Sequence, residues 1–171
     1  MRLFIAIKLN HEMREALASM QQSMRRQGVT GNFTRDENMH LTLAFIGEYP
    51  DPEAVAEIME QVRLEPFEIS LSGVGSFGRL WWAGLSESQE LKALVRRLRH
   101  ALAEAGIPFD HKKFSPHITL IRKPESRNGK IPPDLLEGVP QASMTVDHIS
   151  LMRSDRGKHG MVYTELYETR D

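Results

Sequence analysis

The sequence predicts an α+β fold built from a duplicated strand, helix, strand, strand unit, and three observations carry that prediction. His40-Leu41-Thr42-Leu43 and His117-Ile118-Thr119-Leu120 are near copies 77 positions apart in a chain of 171 residues. Arg2-Leu3-Phe4-Ile5-Ala6 and Arg79-Leu80-Trp81-Trp82-Ala83 stand at the same offset of 77. Between strand and motif, Met13, Ala16, Leu17, Met20 and Met24 fall at i, i+3, i+4, i+7 and i+11, and Leu91, Leu94, Val95, Leu98 and Leu102 repeat those steps at an offset of 78. That spacing places one apolar face along a helix. Ile69-Ser70-Leu71 and Ile149-Ser150-Leu151 echo each other at an offset of 80, so several elements repeat in register.

In chain order, the apolar run Leu3 to Ile7 sets a strand over 2–8, and the first periodic stretch a helix over 11–26. The first motif lies in a strand over 39–46, broken by the segment Gly47 to Pro52, where Asp51-Pro52 opens a helix over 52–63. Strands follow at 67–74 and 79–85, then a helix at 87–105 stopped by Gly106-Ile107-Pro108, then the second motif strand at 116–122. Residues 123–140 hold four prolines and two glycines with little periodicity, predicting a mobile loop with at most a short turn near Asp134. Strands at 143–153 and 160–168 complete the chain, with Asp155 and Gly157 read as turn residues between them.

With 40% hydrophobic and 26% charged residues, the chain reads as one domain over 1–171, its repeat copies starting near 2 and 79. A net charge of −1 lacks the basic excess of a protein that coats nucleic acid, so a small or terminal substrate is expected. There is no cysteine, which excludes disulfides, thiolate metal sites and a cysteine nucleophile, and fits a cytoplasmic protein. The run Leu3 to Ile7 is too short for a signal peptide and passes directly into Lys8, His11 and Glu12. No segment is long and apolar enough to span a bilayer. A monomer is expected.

The chemistry lies in the paired motifs. In a strand, residues two apart share a face, so each copy sends one imidazole and one hydroxyl to one side. Two histidines across a cleft supply a general base and a general acid, because an imidazole with a pKa of about 6.5 offers both forms near neutrality. Such a pair suits attack by water on phosphorus, with Thr42 and Thr119 holding the non-bridging oxygens. A strained cyclic phosphodiester would need no metal. Neither copy is His-x-His and no carboxylate stands at ligand spacing beside either motif, so neither a metal site nor a cofactor is expected. His11, His100, His111, His148 and His159 are read as structural.

The stretches His40-Leu41-Thr42-Leu43-Ala44-Phe45-Ile46-Gly47 and Ser115-Pro116-His117-Ile118-Thr119-Leu120 resemble the 2H phosphoesterases, and within them the bacterial RNA 2′,3′-cyclic phosphodiesterases, also called 2′-5′ RNA ligase-like proteins. The resemblance covers nearly the whole chain. It implies a bilobal pseudo-twofold fold, with two antiparallel sheets forming a U-shaped cleft and helices outside. It also implies hydrolysis of terminal 2′,3′-cyclic phosphates, on RNA or nucleotides, to 2′-phosphomonoesters. By the same resemblance His40 is the proton donor to the leaving 3′-oxygen and His117 the acceptor that activates water; the residue chemistry alone leaves that orientation open. A non-catalytic nucleotide- or RNA-binding module is the alternative, and 2′-5′ ligation would be a reverse activity. No Gly-rich phosphate loop ending in Lys-Ser/Thr occurs, which argues against ATP-driven end joining.

Other residues are weighed by position. Arg122 follows the second motif and could neutralise phosphate, although strict alternation puts it opposite Thr119 unless the strand twists; Phe45 holds that place in the first copy. One ring of Trp81 and Trp82 should face the cleft, and Trp82 is a candidate stacking surface for a base. Arg96, Arg97 and Arg99 read as a solvated helix face. His111-Lys112-Lys113 and the segment Arg153 to Lys158 are candidates for the cleft mouth.

Overall fold

The computed structural model describes residues 1–170. Its elements are β1 (Arg2–Lys8), α1 (His11–Arg26), β2 (Thr30–Phe33), a 3₁₀ turn (Asp36–Asn38), β3 (His40–Glu48), α2 (Pro52–Gln61), β4 (Phe67–Phe77), β5 (Leu80–Leu85), α3 (Gln89–Glu104), β6 (Ile118–Glu125), α4 (Pro133–Glu137), β7 (Ser143–Val146), β8 (Ser150–Gly157) and β9 (Gly160–Glu168). Each long helix starts where a side chain accepts an otherwise orphaned N–H. Asn10 takes Met13 N–H at 2.9 Å, Asp51 takes Ala54 N–H at 3.1 Å, and Ser88 takes Leu91 N–H at 3.1 Å. No helix is long and apolar enough to cross a membrane.

Two antiparallel sheets form, in the orders β3-β1-β8-β9 and β2-β6-β5-β4-β7. Each motif strand pairs with the first strand of its own half, β3 with β1 and β6 with β5. The third strands are exchanged: β4, from the first half, pairs with β5, and β8, from the second, pairs with β1. The helices are exchanged too, since α1 packs on β2, β6 and β7 while α3 packs on β3 and β4. β1 is apolar from Leu3 to Ile7 because both its faces are covered. Leu3, Ile5 and Ile7 enter the main core with Met13, Leu17 and Met20, whereas Phe4 and Ala6 meet Met152 and Tyr163 on the other side.

Both motif strands carry a bulge at the same place. In β3 the register against β1 slips between Thr42 and Ala44, and in β6 the register against β5 slips between Thr119 and Ile121. Leu43 and Ala44, like Leu120 and Ile121, are consecutive buried residues, which a regularly alternating strand with one face on the cleft would not give. The extra residue reverses the alternation beyond it. Phe45 and Arg122 therefore return to the face of Thr42 and Thr119, and both line the space between the sheets.

The structure departs from the sequence reading in four places. The strand expected over 143–153 is two strands in different sheets, β7 beside β4 and β8 beside β1, parted at Asp147 and His148, whose side chains bond each other at 2.7 Å. β2 is not foreseen because Gly31 and Asn32, which disfavour strands, fill the middle of its four residues; it is a short edge strand paired to β6. Gly31 has φ +147°, and a Cβ there would lie 2.8 Å from the Lys123 carbonyl. The last hairpin turns at Lys158 and His159, where Gly157 faces Gly160, and leaves Asp155 within β8. Finally, Ala6 pairs with Thr42 as Trp82 pairs with Thr119, so the first strands correspond at an offset of 76 rather than 77. The slip explains why Phe4 faces the cleft while Trp81, its match by sequence, lies in the core.

Candidate active site

His40 and His117, Thr42 and Thr119, and Phe45 and Arg122 converge on a cleft of about 920 Å³ between the sheets. Each histidine is held in the same way. His40 Nδ1 lies 2.7 Å from the Asn38 carbonyl, and His117 Nδ1 lies 2.8 Å from the Ser115 carbonyl. A carbonyl only accepts, so Nδ1 carries the proton in both rings and Nε2 is left for chemistry. His40 Nε2 sits 2.8 Å from Thr42 Oγ1, which donates to the neutral ring.

The two rings differ in their surroundings. His40 lies between Phe4, at 4.9 Å between centroids, and Tyr163, edge-on at 5.2 Å. Burial among these rings pushes the His40 pKa below its ordinary value, opposed by the bond to the Asn38 carbonyl and reinforced by the positive charges of Arg122 and His117. His117 stands edge-on to Phe77 at 5.1 Å, with Trp82 at 6.3 Å. Phe77 is half exposed and lines the cleft; Trp82 lies behind it, 5.1 Å from it, over Gly75, where any Cβ would meet the indole ring. The ring offered to the cleft on this side is Phe77.

Residues 12–158 match the profile of the 2′-5′ RNA ligase superfamily. The chain belongs to that superfamily. A similar relative is the RNA 2′,3′-cyclic phosphodiesterase of Thermotoga maritima, 33% identical over 98% of this chain and 94% of that protein. The protein of the same name from Thermus thermophilus is 35% identical over 97% of this chain and 88% of its own. Among solved structures, E. coli LigT in apo form superposes with a TM-score of 0.80, at 28% identity over 99% of this chain and 98% of LigT. LigT complexed with 3′-AMP gives 0.78 at 28% identity, over 98% and 95% of the two chains.

In this member of the 2′-5′ RNA ligase superfamily, the strand bulge overrides the alternation that set Arg122 against a cleft position. Lys112 and Lys113 line the cleft, as do Ser154, Asp155 and Arg156 of the last hairpin. Arg99 is not on a solvated face: it is half buried and also lines the cleft, its guanidinium 5.9 Å from the rings of Phe109 and Phe114. His11, His100 and His148 pair with Glu15, Glu104 and Asp147, and none of these three, nor His111 or His159, lines the cleft. Among the described residues no three His, Asp, Glu or Cys side chains gather as a metal site would require. Sequence reasoning missed Asn38, Phe4, Phe77 and Tyr163 as site residues. Asn38 had a signal, because a polar residue stands two places before each histidine, Asn38 and Ser115.

Proposed function

We propose that this protein hydrolyses 2′,3′-cyclic phosphodiester ends, of RNA or of nucleotides, to 2′-phosphomonoesters by acid–base catalysis between His40 and His117. The observation that carries this reading is the repeated holding of Nδ1 by a carbonyl two residues back in two histidines that line one cleft, which leaves Nε2 as the reacting nitrogen of each ring. His117 Nε2 takes a proton from water as its oxygen attacks phosphorus. The bond from phosphorus to the 3′-oxygen breaks, and His40, protonated at Nε2, gives that oxygen its proton. Thr42 and Thr119 hold the non-bridging oxygens and Arg122 offsets their charge. Proton exchange with solvent then resets both rings.

Burial favours the neutral form of His40 while the cleft is empty. A phosphodiester anion opposes the positive charges that also disfavour its protonation, so substrate arms the acid. A nucleobase stacks on Phe77, with Trp82 supporting that ring rather than touching substrate, and Phe45 gives the other wall an apolar surface. The names of the relatives and the binding of 3′-AMP by LigT support a nucleotide-end substrate. A monomer working in the cytoplasm completes the reading.

The test is RNA ending in 2′,3′-cyclic phosphate, incubated in excess EDTA with the wild-type protein, His40→Ala and His117→Ala. Formation of a 2′-phosphate end by the wild type, reduced about 10²–10⁴-fold in each variant, is expected for removal of an acid or a base. Bound but unhydrolysed RNA would replace the hydrolase with a binding module.

A further inference from the structure

Gln21 and Ser150 are the two buried polar side chains among the described residues. Gln21 lies on α1 and directs its amide N–H groups at the carbonyls of Leu120, at 2.9 Å, and Thr34, at 2.8 Å. On α3, 78 positions later, Arg99 directs its guanidinium at the carbonyls of Leu43, at 3.3 Å, and Lys112, at 2.7 Å. Leu43 and Leu120 are equivalent: each follows the motif threonine and is the first residue of its bulge.

A bulge interrupts the ladder and leaves backbone groups to be satisfied by something other than the neighbouring strand. Here a helix supplies the partner, and it is the helix of the opposite half in each case. The Leu120 carbonyl also accepts Thr34 N–H at 3.0 Å, so Gln21 fastens the bulge to the segment that leaves β2. If either bulge smoothed into regular pleat, the residue two places on would turn into the core. We propose that Gln21 and Arg99 are a pair of positioning residues that lock these bulges and so aim Arg122 and Phe45 into the cleft. The chemistry of each brace suits its side. A neutral amide holds the strand that presents a cation, and a guanidinium holds the strand that presents an apolar ring.

The kinetic arm rests on the hydrolase reading; a binding arm does not. Gln21→Met keeps the volume and removes the donors. With a 2′,3′-cyclic nucleotide as substrate, Gln21→Met should lose about tenfold in kcat/KM, mainly through KM, and Gln21→Met with Arg122→Ala should be no worse than Arg122→Ala alone. At the other bulge, Arg99→Met should lose activity, Arg99→Gln should recover most of it by installing the amide of the first brace, and Phe45→Ala should mask the loss. Losses that multiply in both double variants, or single variants that are kinetically silent, would overturn the proposal. If Gln21→Met does not fold, the Arg99 series decides. If the wild type turns over no cyclic phosphate, the proposed function falls, and the same cycles read by calorimetric binding of 2′-AMP decide the bracing.

Discussion

The side-chain amide of Asn38 donates to the main-chain carbonyl of Met161 at 3.0 Å. That carbonyl also accepts from Arg35 at 2.5 Å, so two donors from the segment before His40 tie it to one carbonyl of the hairpin of β8 and β9. Asn38 thereby links a cleft-rim strand to the ring whose Nδ1 proton its own carbonyl holds. Asn38→Ala should reduce kcat/KM about tenfold through a misaimed imidazole, while costing about 1 kcal/mol of stability for one lost hydrogen bond. Steady-state rates beside urea unfolding check both; unchanged turnover would remove Asn38 from the positioning of His40.

His40 should titrate below the ordinary histidine range in the free protein, because burial first and the neighbouring cations second disfavour its charged form. Arg122→Ala removes one of those cations and should raise the midpoint part of the way, and inorganic phosphate should raise it in the wild type. Following the His40 ring Cε1–H by NMR from pH 4 to 8 reads both shifts. A midpoint indifferent to Arg122 would detach this arginine from the field at the acid. Since the folded-state value is depressed for a base, His40 subtracts stability as pH falls below its unfolded value of about 6.5.

Glu165 behaves in the opposite sense. Desolvation raises its pKa, yet hydrogen bonds from Lys8 and Ser150 and the charges of Lys8 and His148 outweigh it, and the net shift is downward. Its carboxylate accepts from the fully buried Ser150 hydroxyl at 2.7 Å and pairs with Lys8 at 2.7 Å. A depressed carboxylate contributes stability above its unfolded value, about 4.3, and loses it as pH falls through the folded one. Glu165→Gln should therefore lower Tm at pH 7, and the gap from wild type should narrow towards pH 3. Thermal scans across that range check the trend; a constant gap would assign the loss to packing.

How far the sequence speaks depends on the range of the interaction. The start of α2 was legible because Asp51 acts on backbone three residues away. The paired histidines and threonines were legible because each motif is four consecutive residues, written once in each half of the chain. Arg122 was misplaced by simple alternation because its direction is set by a bulge whose brace, Gln21, stands 99 positions from the carbonyl it holds. The partition of 143–153 was hidden for a related reason. Only the choice of sheet, made by partners distant in sequence, separates β7 from β8. Tyr163 and Phe4 escaped notice because the ring enclosing His40 is assembled from β1, β3 and β9 together.

The exchange of β4 and β8 means that the chain cannot be divided at its sequence repeat. Cut near Gly78, the first piece would keep β1 and β3 without the strand that flanks β1, and the second would keep β5 and β6 without the strand that flanks β5. Each piece would expose the open side of a central strand, which is a template for aggregation. Neither should fold alone, whereas the two expressed together should complement each other. Folding of the intact chain must likewise wait for residues near 150 to reach residues near 5, so contact order should make it slow for its size.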